Sequence, residues 1–440
     1  MAKTQKIGLW TSTSLVVGNM IGAGVFLMPA AMATFGSVSL LGWVFSAIGS
    51  FFLAKVFSNL SRILPNSTGG PYAYARHGLG DFAGFLVAWG YYLATACANA
   101  AITVSFVSAL SAFFPVLATN MVAAIATGLS AIWLLTWINT RGVAVSGSVQ
   151  LITTALKLVP LLIISVGGLF FIKAANFHPF NNSNTSLFGA VTATAAMTMF
   201  SFVGIESATI PAGNIQDSKN TVAKATLLGL LIATLVYILG TVSVMGIIPA
   251  NVLRQSVTPF ADAAVVMFGP SAKYWVSAGV AIAAFGALNG WTLLQGEMPF
   301  AIAKDGLFPG IFRKQNSKGM PYIGMAISGV IVSSFMAMNY TKALVEQFRF
   351  LLLLSVFTMM VAYLFSVIAY AIISLKSSTM NGKRASAIVL AILAFVYILW
   401  EVAGAGPNSV FSGFILLMAG VPLYAWSVWK RNEKQESGHL

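Results

Sequence analysis

The sequence predicts an all-α, multi-pass membrane protein of twelve transmembrane helices, the first ten forming a 5+5 inverted repeat. Three observations carry this. First, 58% of the 440 residues are hydrophobic and only 8% are charged, with a mean hydropathy of +0.86; soluble chains carry about 25% charged residues. Second, apolar stretches of about 20 residues, enough to cross a hydrocarbon core, recur along the whole chain. Third, two of these stretches are interrupted by glycine where a membrane helix should run unbroken: Gly18-Asn-Met-Ile-Gly22-Ala23-Gly24-Val-Phe26 and Ser201-Phe-Val-Gly204-Ile-Glu206-Ser207. They lie five spans apart. Helices broken at corresponding positions of two repeats mark a binding site near mid-membrane.

The spans fall near residues 8–30, 40–61, 83–112, 121–139, 148–172, 187–211, 224–248, 274–302, 321–339, 348–374, 386–404 and 409–429. They are expected to be helical, because a helix satisfies its backbone polar groups internally. The chain, 1–440, reads as a single transmembrane domain. Repeat one covers about 8–172, repeat two about 187–374, and helices eleven and twelve about 386–429. Five spans per repeat is an odd number, so the two copies take opposite orientations. The segments 62–82 and 303–320 are expected to lie as amphipathic stretches along the inner surface. The segments 249–272 and 173–186 are expected outside. The first apolar run continues past Pro29 and is read as span one rather than as a cleaved leader. The hydrophilic tail after Lys430 is expected to be disordered. No room is left for a soluble catalytic domain.

The net charge of +14 would suit a polyanion, but its distribution argues otherwise. Seventeen Lys/Arg fall at the termini and in even-numbered loops, five lie on the other side, and Lys55 and Lys157 are inside spans. Basic loops stay cytoplasmic, so both termini are expected in the cytoplasm. The charge is a topology signal and no nucleic-acid partner is expected. The single cysteine, Cys97, excludes an intrachain disulfide. No HExxH, GxSxG, P-loop or Cys/His cluster is present, so no enzyme chemistry, metal or cofactor is expected.

The glycines at 18, 22 and 24 allow the first helix to unwind and expose backbone N–H groups to a carboxylate. Gly18 and Gly22 equally satisfy a GxxxG packing face. Glu206 sits in an apolar stretch, where a charge costs about 2.5–3.5 kcal/mol and usually faces a pathway. It is either a proton-responsive group or a structural carboxylate held by Ser201 or Ser207. Trp291 lies in mid-span within Gly286-Ala-Leu-Asn-Gly290-Trp291, and Phe200 directly precedes the second break. Aromatic faces attract cations, Trp best; each is otherwise ordinary packing. Asn99, in a run of small residues, either bonds between helices or meets a ligand. Ser355 and Thr358 can bond their own helix backbone. Lys157 lies too deep in span five to snorkel easily. Three roles fit it: a fixed cation in place of a bound Na⁺, a proton carrier, or a partner for Glu297.

These stretches, together with Gly69-Gly-Pro-Tyr-Ala-Tyr-Ala-Arg76, Gly290-Trp-Thr-Leu-Leu294 and Lys304-Asp-Gly-Leu-Phe-Pro309, resemble the amino acid/polyamine/organocation transporter superfamily. Within it the chain is similar to the basic amino acid/polyamine antiporters, above all their arginine/agmatine exchangers. The resemblance runs from Lys6 to about residue 430 and implies the LeuT-type inverted repeat with broken helices 1 and 6. It implies that Ile21, Ala23 and Gly24 bind the substrate's α-carboxylate and α-amino group. Asn99 would meet its distal amine or guanidinium, Trp291 would stack on it, and Ser355 would bond the distal head. Glu206 would sense protons at the span-six gate, with Tyr91 and Tyr363 as gate residues and Phe200 as an aromatic middle gate. The arginine exchangers carry serine where this chain has Ala23, tryptophan where it has Phe200, and no lysine at the position of Lys157. A lysine there resembles relatives that handle neutral amino acids.

The implied activity is exchange of a cationic, arginine-like amino acid for its agmatine-like decarboxylated amine, with pH-dependent gating. The alternative is a neutral amino-acid exchanger or proton-coupled importer using Lys157. The expected partners are small amino acids and amines and the lipid bilayer. The expected location is the inner membrane, and a homodimer is an expectation from relatives alone.

Overall fold

A computed structural model of the chain describes residues 6–256, 258–338, 344–376, 382, 384–404 and 407–436. Its regular elements are helices; the β pairing among the described residues is a parallel bridge between Ile7 and Ile215. Among the described residues ten helices are long and apolar enough to cross a membrane, and the bent pair Leu9–Met20 and Gly24–Ala33, at 52°, makes eleven. The chain is therefore an all-helical, multi-pass membrane protein with ten or eleven candidate spans. The segment expected as span nine is the helix Tyr322–Met338, of 17 residues. These 17 residues lie at the lower end of the length that crosses a hydrocarbon core, and residue 339 of the expected span lies outside the described residues.

Both glycine-marked helices are interrupted where the sequence indicates. The first regular helix stops at Met20, and a 3₁₀ turn, Ala23–Phe26, leads into Met28–Ala33. The sixth runs as Leu187–Met199, then breaks into short 3₁₀ turns at Phe200–Phe202 and Ser207–Thr209. The connections differ more from expectation. Pro71–Leu79 is a helix, as its Gly-Pro start favours, but 303–320 holds only the 3₁₀ turn Gly310–Arg313. The last helix continues through Lys430 to Glu436, so the residues from Lys430 to Glu436 are helical rather than disordered.

Glycines let these helices approach closely. A Cβ on Gly229 would lie 2.5 Å from Val16 Cγ1, one on Gly279 2.6 Å from Pro160 Cγ, and one on Gly286 2.5 Å from Thr153 Oγ1. Apolar helices gain nothing from leaving lipid, so small residues that permit close backbone packing hold them together. These crossings bring span seven onto span one and span eight onto span five, the two pairs that flank the breaks.

One end of the bundle is tied shut by polar contacts. Ile7 donates its N–H to Asn214 O at 3.0 Å and accepts from Gln216 N at 3.0 Å. Gly70, at φ +47°, lets the Pro71–Leu79 helix dock where a Cβ would meet Thr209 Oγ1 at 2.2 Å. Arg76 pairs with both Asp81 (2.8 Å) and Asp305 (2.6 Å), and Arg431 with Asp81 (2.8 Å). Tyr72 donates to Asp305 at 2.7 Å. Burial and the Asp305 carboxylate push the Tyr72 phenol upward, so it stays a donor at working pH.

Gly229→Ala forces a methyl into Val16, and overpacking of this kind costs about 1–3 kcal/mol. Its expected outcome is a lower melting temperature of the purified protein. Gly8→Ala, which meets nothing within 4 Å, should leave the melt unchanged; equal effects of the two would contradict this packing.

Candidate functional site

A helix that ends in the membrane leaves its last carbonyls without intrahelical donors. At the first break these carbonyls are met by side chains from two other spans. Lys157 Nζ donates to Gly18 O at 2.7 Å and to Ile21 O at 2.5 Å, and Trp291 Nε1 donates to Asn19 O at 3.3 Å. Lys157 is wholly buried, and its Nζ sits at the negative end of the first half-helix, where the backbone dipole favours a cation. It forms no ion pair among the described residues. A Lys157–Glu297 partnership is therefore not the arrangement found; backbone carbonyls take the ammonium instead.

The glycines of this break divide their work. A Cβ on Gly18 would lie 1.8 Å from Gln150 Nε2, so Gly18 is a close-packing position on span five. At Gly22 the nearest atom is Ala287 Cβ at 3.8 Å, which leaves room; Gly22 and Gly24 line a cavity.

The second break nests on the first. Val203 is extended and Gly204 sits at φ +110°, a region closed to ordinary side chains. A Cβ there would press on Asn19 at 3.3 Å. Asn19 Nδ2 donates to Ser207 Oγ at 2.9 Å, joining the two broken helices directly. Glu206 is wholly buried and accepts from Tyr91 Oη at 2.7 Å and from Tyr363 Oη. Tyr363 also accepts from Gly204 N at 3.1 Å. The serines expected to hold Glu206 do other things: Ser207 pairs with Asn19, and Ser201 uses its carbonyl to accept from Tyr237 at 2.8 Å.

Between the breaks lies a cavity of about 40 Å³, lined among others by Asn19, Gly22, Gly24, Phe200, Trp291 and Ser355. A water needs roughly 10–15 Å³ of such space, so this is room for a few waters and not for an amino acid. The arrangement is closed upon itself. No Asp or Glu is among the lining residues.

Of the residues singled out from the sequence, Gly24, Phe200, Trp291 and Ser355 meet at this cavity. Ile21 contributes its carbonyl to Lys157. The Ala23 backbone belongs to the 3₁₀ turn, while its side chain lies outside what the structure describes. Tyr91, Glu206 and Tyr363 form a separate triad, linked to the cavity by Tyr91 and Trp291, whose rings are 6.3 Å apart. Asn99 does not line the cavity; it donates to Gln295 Oε1 at 2.7 Å. Asn99 Oδ1 and Gln295 Nε2 are left without partners.

Three residues were missed. Asn19 was readable as an amide between two glycines. Gln150 accepts from Asn289 Nδ2 at 3.1 Å, and Asn139 donates to Asn289 Oδ1 at 3.1 Å. This amide chain braces spans four, five and eight behind the first break. Among the described residues no His/Cys/Asp/Glu group could hold a metal ion.

Comparison with known proteins fits this geometry. A family model described as "Amino acid permease" matches residues 7–427. A cadaverine/lysine antiporter of Escherichia coli (strain K12) is 30% identical over 445 residues, covering 100% of this chain and 99% of that one. An arginine/agmatine antiporter of Chlamydia felis is 30% identical over 442 residues, covering 96% and 90%. A putrescine transporter of Haemophilus influenzae is 28% identical over 435 residues, covering 99% and 100%.

The Glu206 triad predicts a non-additive mutant cycle. Tyr91→Phe and Tyr363→Phe each remove a buried hydrogen bond to the carboxyl group, worth about 1–3 kcal/mol. Melting of the purified variants should show that loss in the parent and a smaller one in a Glu206→Leu background. Equal losses in both backgrounds would mean the tyrosines act independently of Glu206.

Proposed function

The chain belongs to the amino acid permease family, a family of transporters and not of enzymes, and on that premise we propose that it exchanges a cationic amino acid for its decarboxylated amine. The observation that carries the proposal is the cavity between the two broken helices, faced by Trp291 and Phe200 and by no carboxylate. A cation entering it must be met by aromatic faces, and indole is the best of these. The relatives named above transport lysine and cadaverine, arginine and agmatine, or putrescine by their descriptions, all cations at neutral pH.

The family implies a LeuT-type fold, and we take the chain as twelve spans with the short helix Tyr322–Met338 as the ninth. In this scheme the substrate carboxylate binds the N–H groups at Ala23 and Gly24, at the start of the second half of span one. Trp291 stacks on the aliphatic and cationic part, and Ser355 bonds the distal head. Asn99 and Gln295, which keep an unused oxygen and an unused amide N–H beside their mutual bond, would meet the distal group only once the site opens. Spans one, two, six and seven rock against the rest, and Glu206, with Tyr91 and Tyr363, forms the proton-responsive gate. The basic loops put both termini in the cytoplasm and the chain in the inner membrane. One chain suffices for the scheme; a homodimer would carry two such sites.

Proteoliposomes loaded with arginine, lysine, ornithine or their amines should show counterflow with a cationic partner and none with alanine or leucine. Trp291→Leu should weaken the cation about 30-fold, from the roughly 2 kcal/mol of a desolvated cation–π contact. Exchange of alanine or leucine with every cation inactive would overturn the cationic assignment.

The seat of Lys157 on the Gly18 and Ile21 carbonyls favours a second reading, in which a fixed cation supports transport of neutral amino acids. Lys157→Ala is the discriminator, with uptake followed against pH and binding followed by ligand-induced thermal stabilisation. Lost pH dependence with binding retained supports that reading. A variant with the parent's pH profile counts against it.

A further inference from the structure

A cleft of about 470 Å³ opens away from the central cavity, between span two and the first turn and a half of span eleven, with Tyr370 of span ten behind it. Lys55, Asn59 and Arg62 line its span-two side. They follow one another at i, i+4 and i+7, which places them on one face of the helix Ser39–Ile63. Asn59 Nδ2 donates to Tyr370 Oη at 2.9 Å, so the wall is fastened across the two spans. Ser386 and Leu390 form the opposite side.

The two cations in this cleft have no protein counter-charge. Neither Lys55 nor Arg62 forms an ion pair among the described residues. The sequence explains why: no Asp or Glu occurs before Asp81, and none occurs between Glu346 and Glu401. The three helices that build the cleft therefore supply no carboxylate to it. Lys55 lies eight residues inside the helix end at Ile63, about 12 Å at 1.5 Å per residue, and is half-buried. A charge at that depth is costly unless something pairs with it. Beyond it, toward the middle of the span, Ile48 and Phe51 are exposed, as are Val389 and Leu393 on span eleven.

Cations at one end of a cleft and uncovered apolar side chains leading away from it describe an amphiphile with an anionic head. We infer that this cleft is a binding site for an anionic phospholipid, its phosphate between Lys55 and Arg62 and its acyl chains along Phe51 and Leu393. Basic pockets between spans are suited to such head groups. A soluble phosphate would satisfy the cations and leave the apolar rim uncovered. The assignment to the cytoplasmic leaflet rests on the topology proposed above; the site itself does not, nor does it depend on what the protein transports. A lipid here bridges span two to spans ten and eleven and stabilises the conformation that shapes the cleft.

The test is thermal melting of the full purified chain in detergent, titrated separately with phosphatidylglycerol, phosphatidylcholine, inorganic phosphate and glycerol 3-phosphate. Phosphatidylglycerol should raise the melting temperature saturably, and the other three should not. At about 1 kcal/mol per basic residue, the double variant Lys55→Gln/Arg62→Gln should need about 30-fold more phosphatidylglycerol for the same shift. The pair Lys219→Gln/Lys314→Gln, exposed basic residues elsewhere, should respond as the parent does. The charge-conserving pair Lys55→Arg/Arg62→Lys guards against simple misfolding and should retain the response. An unaltered phosphatidylglycerol response in the neutral double variant overturns the site. A full shift with inorganic phosphate alone overturns the lipid and leaves a soluble-anion site.

Discussion

The structure depends on the carbonyl oxygens released where the first helix stops. In hydrocarbon an unsatisfied backbone group costs several kcal/mol, and Gly18, Asn19 and Ile21 present three of them at mid-chain depth. The protein supplies an ammonium from span five and an indole N–H from span eight. This requirement dictates which spans pack against the break, and it accounts for a lysine that would otherwise be an expensive residue in an apolar helix. The glycine at 18 is part of the same solution, since a side chain there would displace Gln150 and with it the wall that carries Lys157.

The two breaks are mechanically one object. Gly204 rests on the Asn19 backbone, Asn19 reaches Ser207, and Glu206, one residue before Ser207, is clamped by tyrosines from spans three and ten. Any movement that enlarges the small cavity to admit a substrate must separate some of these contacts. The tyrosine clamp and the Asn19–Ser207 bond are short-range and all-or-none, so they suit a switch between discrete states more than a gradual deformation. The ion pairs of Arg76 and Arg431 and the Ile7–Ile215 bridge close one end of the bundle. Opening that end means releasing both.

Much of this was readable in the sequence, and the boundary is physical. Apolar length gives spans, and glycine in an apolar run gives breaks, because both are properties of the local chain. The charge on Lys157 and Glu206 flagged them for the same reason. What local pattern could not give was facing. Helices apolar on every side carry no stripe to orient them, and each step along a helix turns a side chain by about 100°. Asn99 was open between an interhelical bond and a ligand contact; it bonds Gln295 of span eight, while Ala98 and Ala101 line the cavity. Ser201 and Ser207, the partners that the structural alternative gave Glu206, do not hold it; its partners are the tyrosines 115 and 157 residues away.

An amino acid and its decarboxylated amine differ by one carboxylate, and on the exchange reading that carboxylate arrives beside a lysine. Lys157 is bound to the carbonyls of Gly18 and Ile21, which bracket Asn19 in the cavity wall. In its protonated form it would attract the amino acid's carboxylate and repel an amine that brings only cations; two unit charges 4 Å apart interact by about 4 kcal/mol at an effective dielectric of 20. The α-ammonium faces a different contest. Asn19 O already accepts from the Trp291 indole at 3.3 Å, so an ammonium that binds this carbonyl would compete with the ring for it, and an indole released in this way would be free to turn its face to the rest of the substrate. One hydrogen bond would then be exchanged for another while the cavity gains the room it lacks. A neutral amino acid can offer its α-ammonium to the carbonyl but has no second, side-chain cation for the released aromatic face, and selectivity for cationic amino acids would arise at the step that opens the site.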